Sequence, residues 1–433
     1  MPNTATDYIK FQSQAASPYH VVQTIENQFK EHNFSQWQPG DKLQSGPGWT
    51  KHWDGKAIIA WNIPKNATIQ NGFAIAAAHV DSPTLRLKLD PFRAEEFGGR
   101  LLTQLHGGLI QRSWLDRPLQ LGGKLWFLKE GNKKVCFENG LPATRSKLVS
   151  TDKPIAVIPD VAIHLDPQKN KDGKINAETM LSAVFGCEKL EQLLPKFWKT
   201  LKISSKEHPI AFDLTLSPAI PHMLTGVDES LIVGPRHDDL AMVFSILQAI
   251  TKVKTPSHKI PVAIFVDAEE TGSTTASGAD SAYIRDTLFS LAQAISSTAT
   301  PQDLHKSFLI SADMAHAWHP GYPHLHDTQH KPHINQGIVI KENANDRYAT
   351  SGFSTAIIRG LCKAKGLNYQ NFVTRQDMGC GSTIGPTLSA ALSCATADIG
   401  IAQWAMHSAA ETMGLQDLVD MTLLLKAFFS KSH

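Results

Sequence analysis

Four short apolar runs along the chain lead into polar or charged residues. They span 57–61, 73–79, 261–267 and 307–313. A continuous apolar run of about four to eight residues is typical of a strand buried on both faces of a parallel sheet. Because ligands of open α/β sheets bind beyond the carboxyl ends of the strands, the polar residues that end these runs are candidates for a site.

Apolar residues at helical spacing predict helices between the runs. Ser17 and Pro18 suit the N-cap and the first helical position of one helix. Two further helices are expected at 239–251 and at 418–429, where apolar residues recur every three or four positions. Strands and helices thus alternate in the first and last parts of the chain, as in an α/β protein.

The middle of the chain, 85–233, has strand and turn patterns with few long helical repeats. We therefore predict two domains. The first is a discontinuous α/β domain, 1–84 and 234–433, with a mixed, largely parallel sheet flanked by helices. The second is a β-rich domain, 85–233, inserted into the first.

Composition narrows the class of protein. The 433 residues carry a net charge of +2 with 19% charged residues and no dense Lys/Arg run, so no nucleic-acid partner is expected. No segment resembles a signal peptide or a membrane span. The five cysteines form no CxxC pair and are odd in number. We expect a cytoplasmic protein with no membrane partner.

Two pairs of residues at predicted strand ends have the chemistry of a metal site. His79 and Asp81 are two apart, so on an extended chain His79 can ligate a metal while Asp81 orients its ring. Glu269 and Glu270 are adjacent, so one can bind a metal while the other moves a proton. Each pair also has a simpler interpretation. His79 and Asp81 could be a solvated histidine and a turn aspartate at a capped strand end, and Glu269 and Glu270 could be a solvated acidic turn.

Three single residues are weaker candidates until they are considered together. Asp313 ends a buried strand, but a helix N-cap would explain it equally. Asp238 stands at the head of a predicted helix, where a carboxylate caps free N–H groups, yet a carboxylate is also what bridges two ions. His407, taken alone, is more often structural than a ligand.

Two zinc ions in roughly tetrahedral sites each need about three protein ligands and a shared water. His79, Asp238 and Asp313 supply one such set. Asp238, Glu270 and His407 supply the other. Glu269 is left as the general base, which predicts a metal-dependent hydrolase. Mn or Co would also suit a site rich in oxygen ligands.

Longer motifs are similar to those of the aspartyl aminopeptidase family, in order and over nearly the whole chain. They are HVDSP, WLDR, PRHDDL, DAEETGS, SADMAHAWHP, GIVIKEN, GCGSTIGP and QWAMHS. The resemblance implies a dinuclear zinc exopeptidase that prefers acidic amino-terminal residues. It also implies that 85–233 is a dimerisation domain and that the chain forms a tetrahedral dodecamer built from dimers.

The resemblance also implies contacts to a peptide substrate. His316, Lys341 and Tyr348 would line the site, and His164 would be supplied by a neighbouring subunit. The free amine of the peptide would lie beside the metals and nearby carboxylates, with Glu269 and Asp313 as further contacts. Lys341 would pair with the acidic side chain, although sequence alone favours an ordinary surface lysine there.

Two positions depart from the family's pattern: Asp239 stands where Asn is usual, and Thr271 stands where Val is common. Both are adjacent to predicted metal-site residues. Two other functions remain open at this point. One is a neutral or broad-specificity aminopeptidase of the same fold, and the other is a non-catalytic assembly protein that retains the metal site.

Overall fold

The computed structural model describes residues 2–96, 98–131, 134–254 and 256–431. The helices within these ranges are α1 Pro2–Ser13, α2 Pro18–Glu31, α3 Lys169–Asp172, α4 Ala177–Met180, α5 Leu190–Thr200, α6 His237–Thr251, α7 Ala282–Ile295, α8 Gly352–Lys365, α9 Ile384–Leu392 and α10 Leu415–Phe429. None of the described helices combines the length and the apolar character that a membrane span requires.

The strands fall into three stretches of the chain. The first holds β1 Ser35–Gln36, β2 Gly46–Lys51, β3 Ile58–Ile63 and β4 Phe73–His79. The second holds β5 Thr84–Ala94, β6 Gly99–His106, β7 Pro118–Leu128, β8 Glu130–Gly131, β9 Lys134–Val135, β10 Phe137–Glu138, β11 Leu141–Pro142, β12 Thr144–Ser150, β13 Ala156–Val157, β14 Ala183–Gly186 and β15 Ala211–Pro218. The third holds β16 Met223–Thr225, β17 Leu231–Gly234, β18 Ile260–Val266, β19 Phe308–Ala312, β20 Ala315–His316, β21 Ile338–Glu342, β22 Tyr369–Val373, β23 Ala395–Gly400, β24 Ala402–Trp404 and β25 Glu411–Gly414.

A nine-stranded sheet forms the centre of the molecule, in the order β1-β2-β3-β18-β4-β19-β23-β21-β22. Its four central strands, β18, β4, β19 and β23, are parallel to their neighbours in that group. Successive residues of β4 face opposite sides of the sheet. Ala76 packs in a core with α6 and α10, whereas Ile75 packs in a core with α7 and α9. Because both faces are covered by helices, β4 is apolar throughout until His79.

A seven-stranded sheet, in the order β12-β7-β13-β14-β6-β5-β15, is built only from residues between 84 and 218. It has its own apolar core, which includes Leu121, Leu125 and Leu216. The mixed α/β class predicted from the sequence is confirmed. The assignment of 85–233 as a separate dimerisation domain stays a prediction.

A five-stranded sheet has the order β16-β17-β25-β24-β20. Two of its strands, β20 and β24, directly follow the central strands β19 and β23 along the chain. Strand β17 leads into α6, which begins at His237, and the loop between β24 and β25 carries His407. This sheet therefore supplies the two site residues that the central strands do not.

Candidate metal centre

The carboxyl ends of the parallel strands β4, β18 and β19 lie at one edge of the central sheet. His79 is the last residue of β4, Glu269 and Glu270 lie on a single 3-10 turn after β18, and Asp313 follows β19. Buried strands of similar length thus deliver one imidazole and three carboxylates to the same edge.

Asp238 lies between two imidazoles and is almost fully buried. Its Oδ1 is 3.4 Å from Nε2 of His79, and its Oδ2 is 3.3 Å from Nε2 of His407. Nε2 of His407 is also 3.4 Å from Oε1 of Glu270. Two atoms bound at about 2.0–2.1 Å to one tetrahedral zinc ion lie roughly 3.3–3.4 Å apart. The spacing therefore fits ligands around ions on either side of Asp238.

Several buried carboxylate oxygens in this cluster accept no hydrogen bond from the described residues. They are Oδ1 of Asp238, Oδ1 of Asp239 and Oε1 of Glu270. Buried acceptors without donors are costly in free energy, and a bound cation would satisfy them. Three groups of side chains have ligand atoms close enough to share an ion: His79, Glu269 and Glu270; His79, Asp238 and Asp239; and Asp238, Glu270 and His407. The donor set fits divalent metal ions such as zinc.

The two histidines are strongly affected by the carboxylates around them. Burial alone would lower the pKa of His407, but Asp238 and Glu270 raise it to about 10. Burial is likewise outweighed at His79, where Asp239, Asp238 and Asp81 raise the pKa. Since imidazole binds metals in its neutral form, metal ions would displace these protons.

Glu269 lies beside the cluster, with its Oε2 4.0 Å from Nε2 of His79. Burial, together with repulsion from Asp313 and Asp238, raises the pKa of Glu269 to about 7. A nearby divalent cation would lower that pKa again, since it favours the charged form. In a metal-loaded centre Glu269 would therefore be ionised near neutral pH and able to accept a proton, as a general base must.

Asp313 is held by Lys341 and belongs to none of the three groups found among the described residues. The Nζ of Lys341 donates to Oδ1 of Asp313 at 3.0 Å, to the carbonyl of Asp313 at 3.1 Å and to the carbonyl of Met314 at 3.2 Å. Burial raises the pKa of Asp313 despite the opposing charge of Lys341. Asp239, which sequence reasoning did not assign as a ligand, stands with His79 and Asp238 instead. The ligand role of Asp313 stays a prediction.

Lys341 is only 1% exposed, so the alternative reading of it as a surface lysine is wrong. An ammonium group has three N–H donors, and all three have acceptors in the protein. The expected contact with an acidic substrate side chain would have to replace one of these bonds.

Two of the other expected substrate contacts, His316 and Tyr348, line a cavity of about 280 Å³. The Nζ of Lys341 lies 5.1 Å from the centre of the Tyr348 ring. His164 lies on an exposed turn that follows β13. Within the described ranges it forms no hydrogen bond or ion pair with the candidate metal centre, so a role in the site of this same chain gains no support.

Sequence reasoning missed two residues that hold the site together. Glu411 is buried, and its two carboxylate oxygens accept the backbone N–H groups of Asp238 at 3.0 Å and His407 at 2.7 Å. His106, at the end of β6, contacts Asp81. The only sequence feature that could have indicated a role for Glu411 is its position four residues after His407. No sequence feature indicates a role for His106, because its partner Asp81 lies on a different segment of the chain.

A family model described as aminopeptidase I zinc metalloprotease (M18) matches residues 11–429. The mixed α/β fold and the cluster of histidines and carboxylates agree with a zinc metalloprotease. The chain belongs to the M18 family of aminopeptidases, and the resemblance to aspartyl aminopeptidases is confirmed at the level of the family.

Similar proteins cover nearly the whole chain. Aspartyl aminopeptidase 1 of Schizosaccharomyces pombe is 32% identical over 457 residues, which cover 98% of this chain and 94% of the relative. A structure of the Ape4 and Nbr1 complex matches with a TM-score of 0.89 and 31% identity, over 98% of this chain and 85% of that one. The S. cerevisiae mApe1 dodecamer matches with a TM-score of 0.81 and 25% identity, over 98% and 96%.

Proposed function

We propose that this protein is a zinc-dependent aminopeptidase that removes aspartate or glutamate from the amino terminus of peptides. The observation that carries the metal site is the position of Asp238, whose two oxygens face His79 and His407 at 3.4 and 3.3 Å. A carboxylate in that position can bridge two ions. His79 would then belong to one ion, and Glu270 and His407 to the other, with Asp313 or Asp239 completing the first set.

The side chains around the ions would each have a separate task. Two zinc ions would supply Lewis acidity and lower the pKa of the attacking water. Glu269 would accept a proton from that water and pass it to the leaving amine. Asp81 would hold the ring of His79, and the buried strands would keep the ligands in place when no peptide is bound.

The acidic preference is supported by the aspartyl aminopeptidase relative and by the chemistry of the cavity. His316 and Tyr348 line this cavity, and the Nζ of Lys341 lies 5.1 Å from the centre of the Tyr348 ring. An acidic substrate side chain that replaced one of the acceptors of Lys341 would gain an ion pair that an apolar or basic side chain cannot form.

A broad-specificity aminopeptidase is the second candidate, because all three donors of Lys341 already have protein acceptors. Initial rates of amino-terminal release should therefore be measured with zinc-loaded protein and matched peptides that begin with Asp, Glu, Leu or Lys. Faster release of Asp and Glu supports the acidic preference. Equal or faster release of Leu supports the broad-specificity enzyme, and no release from any peptide favours a non-catalytic assembly protein.

We also propose a homo-oligomer, with the dodecamer as the expected form. A solved structural relative is a dodecamer. The turn that carries His164 exposes Val161, Ile163 and Leu165, which a neighbouring subunit would cover. Sedimentation velocity tests this assembly: a monomer at micromolar concentration would contradict both the oligomer and the role of His164 in a neighbour's site.

A cytoplasmic location is part of the same proposal. All five cysteines are unpaired in the structure, and free thiols persist in a reducing compartment.

A further inference from the structure

The segment 106–113 begins at the last residue of β6 and enters the connection to β7 in the seven-stranded sheet, and it reaches across to the candidate metal centre. We call it the β6–β7 loop. It contacts the cluster at three points: Asp81 after β4, Glu270 after β18, and His407 between β24 and β25.

The first contact is made by His106. Its Nε2 lies 2.9 Å from Oδ2 of Asp81, which is 1% exposed. The same carboxylate accepts the backbone N–H of Glu269 at 3.1 Å and that of Glu270 at 3.3 Å. Its Oδ1 is also 3.4 Å from Nδ1 of His79, which donates to the backbone carbonyl of Asp81 at 3.1 Å. One buried carboxylate therefore sets the position of the base and of two ligands, and His106 holds that carboxylate.

The second contact is made by Gly107, which has a φ of +74°. A Cβ at this position would lie 3.0 Å from Cβ of Glu270 and 3.2 Å from its Oε2. The loop therefore runs directly against the side chain of Glu270, and only a residue without a side chain fits there without displacing it.

The third contact fixes His407. The carbonyl of Gly108 accepts from Nδ1 of His407 at 3.0 Å, and the N–H of Ile110 donates to the carbonyl of His407 at 2.9 Å. A proton on Nδ1 leaves the Nε2 lone pair directed at Asp238 and Glu270, which is the form that binds a metal. Both hydrogen bonds come from the backbone of the loop.

We propose that the β6–β7 loop positions the metal ligands from the seven-stranded sheet, and that His106 is a positioning residue that acts through Asp81. The inference rests on the metal site of the proposed function, but not on its peptide specificity. If the β6–β7 loop positions the ligands, the seven-stranded sheet contributes to metal binding within a single chain. This role is separate from the role in dimerisation that is expected of the same sheet.

The test compares His106→Gln with His106→Asn. The glutamine amide nitrogen reaches about as far from the backbone as Nε2 of histidine, whereas the asparagine amide falls short of Asp81. Zinc affinity is measured by competition with a chromophoric chelator, and kcat and KM are measured separately at saturating zinc. Gln104→Ala, an exposed position on the same strand, serves as the matched control.

We expect His106→Asn to weaken zinc binding by about 10-fold, the lower end of the effect of removing a direct partner of a metal ligand, because His106 acts through Asp81. At saturating zinc, kcat should fall while KM stays within about twofold, because Asp81 also holds Glu269. His106→Gln should keep most of the zinc affinity, and Gln104→Ala should match the wild type.

Equal zinc affinity in His106→Asn and the wild type would overturn the inference. So would equal losses in His106→Asn and His106→Gln, since these show that the hydrogen bond to Asp81 is not responsible. Zinc binding that depends on His106 in a protein that releases no amino acid from any peptide would retain this inference and reject the proposed activity.

Discussion

At the residue scale, the candidate centre depends on buried carboxylates whose positions are fixed by neighbouring side chains. Asp238 is held by the two histidines, Asp313 by Lys341, and the turn with Glu269 by Asp81. Each holding contact is between side chains or between a side chain and the backbone. Single substitutions therefore separate the residues that bind the metal from those that act on the peptide.

Replacing Glu269 with Gln tests its role as the base. The amide keeps the shape of the side chain but cannot accept the proton, so turnover should fall by at least about 10²- to 10⁴-fold. Zinc content, measured by mass spectrometry, should equal that of the wild type. The control is Glu342→Gln, at the exposed end of β21. Near-normal turnover in Glu269→Gln would remove Glu269 from the base role.

Lys341→Met tests whether this lysine is structural. The substitution leaves Oδ1 of Asp313 and two carbonyl groups buried without their donor. Removing one partner of a buried ion pair costs about 3–5 kcal/mol, so the free energy of unfolding in urea should fall by that amount. Exposed Lys363→Met should leave it within about 0.5 kcal/mol. An unchanged free energy in Lys341→Met would mean that the lysine serves the substrate alone.

The sequence identifies the residues of the cluster better than it identifies their supports. His79, Asp238, Glu270 and His407 lie close together in the structure. Sequence patterns predict the strands before His79 and Glu270 and the helix that Asp238 heads, whereas His407 follows no predicted element and was assigned only by considering the ligands together. Sequence alone favours an ordinary surface lysine at position 341, because the residue follows a predicted strand, whereas the family resemblance places it in the site. Its burial depends on the carbonyls of residues 313 and 314, which only the packed fold brings to it.

At the element scale, the strands that end at the site are those that the apolar runs predict. The runs at 73–79 and 307–313 correspond to β4 and β19, and the helix expected at 239–251 lies within α6. These elements are buried on both sides, so a continuous run of apolar residues in the sequence identifies them as elements of the core. The contacts of the β6–β7 loop could not be predicted from the sequence. A short loop that contains glycines has no hydrophobic periodicity, and the residues it contacts lie in distant segments of the chain.

Gly107→Ala tests the fit of that loop against the central sheet. The new Cβ meets Glu270 and the backbone has a positive φ, so we expect the free energy of unfolding to fall by about 1–2 kcal/mol. Zinc affinity should fall with it. Gly360→Ala in α8, which has open space around it, should raise the stability by about 0.4–1 kcal/mol. A Gly107→Ala protein as stable as the wild type would show that the loop can move aside.

At the scale of the whole molecule, the centre lies where the three sheets meet. The central sheet supplies His79 and Glu270, the five-stranded sheet frames Asp238 and His407, and the seven-stranded sheet supplies the β6–β7 loop. Several buried carboxylates lie close together at this junction and repel one another. Metal ions should therefore stabilise the complete fold and not only the loops around them.

Removal of zinc should lower the thermal midpoint of unfolding. Burial and repulsion between carboxylates raise the pKa values of Asp239 and Glu270. Bringing these groups together therefore costs free energy, which bound cations would offset. At free zinc of 100 times the dissociation constant, binding adds about 2.7 kcal/mol to the free energy of unfolding. Calorimetry of chelated and zinc-restored protein measures the difference. Identical midpoints would mean that the cluster does not bind zinc.

The hydrogen bond between Gly108 and His407 joins residues that are 299 positions apart in the chain. During synthesis the first of these residues leaves the ribosome long before the second, and domains fold as units from the amino terminus. A nascent chain can present His79 and the β6–β7 loop early, but it completes the group of Asp238, Glu270 and His407 only when its last tenth emerges. Completion of this second group of ligands is therefore tied to the end of translation, and prematurely terminated chains cannot form the full centre.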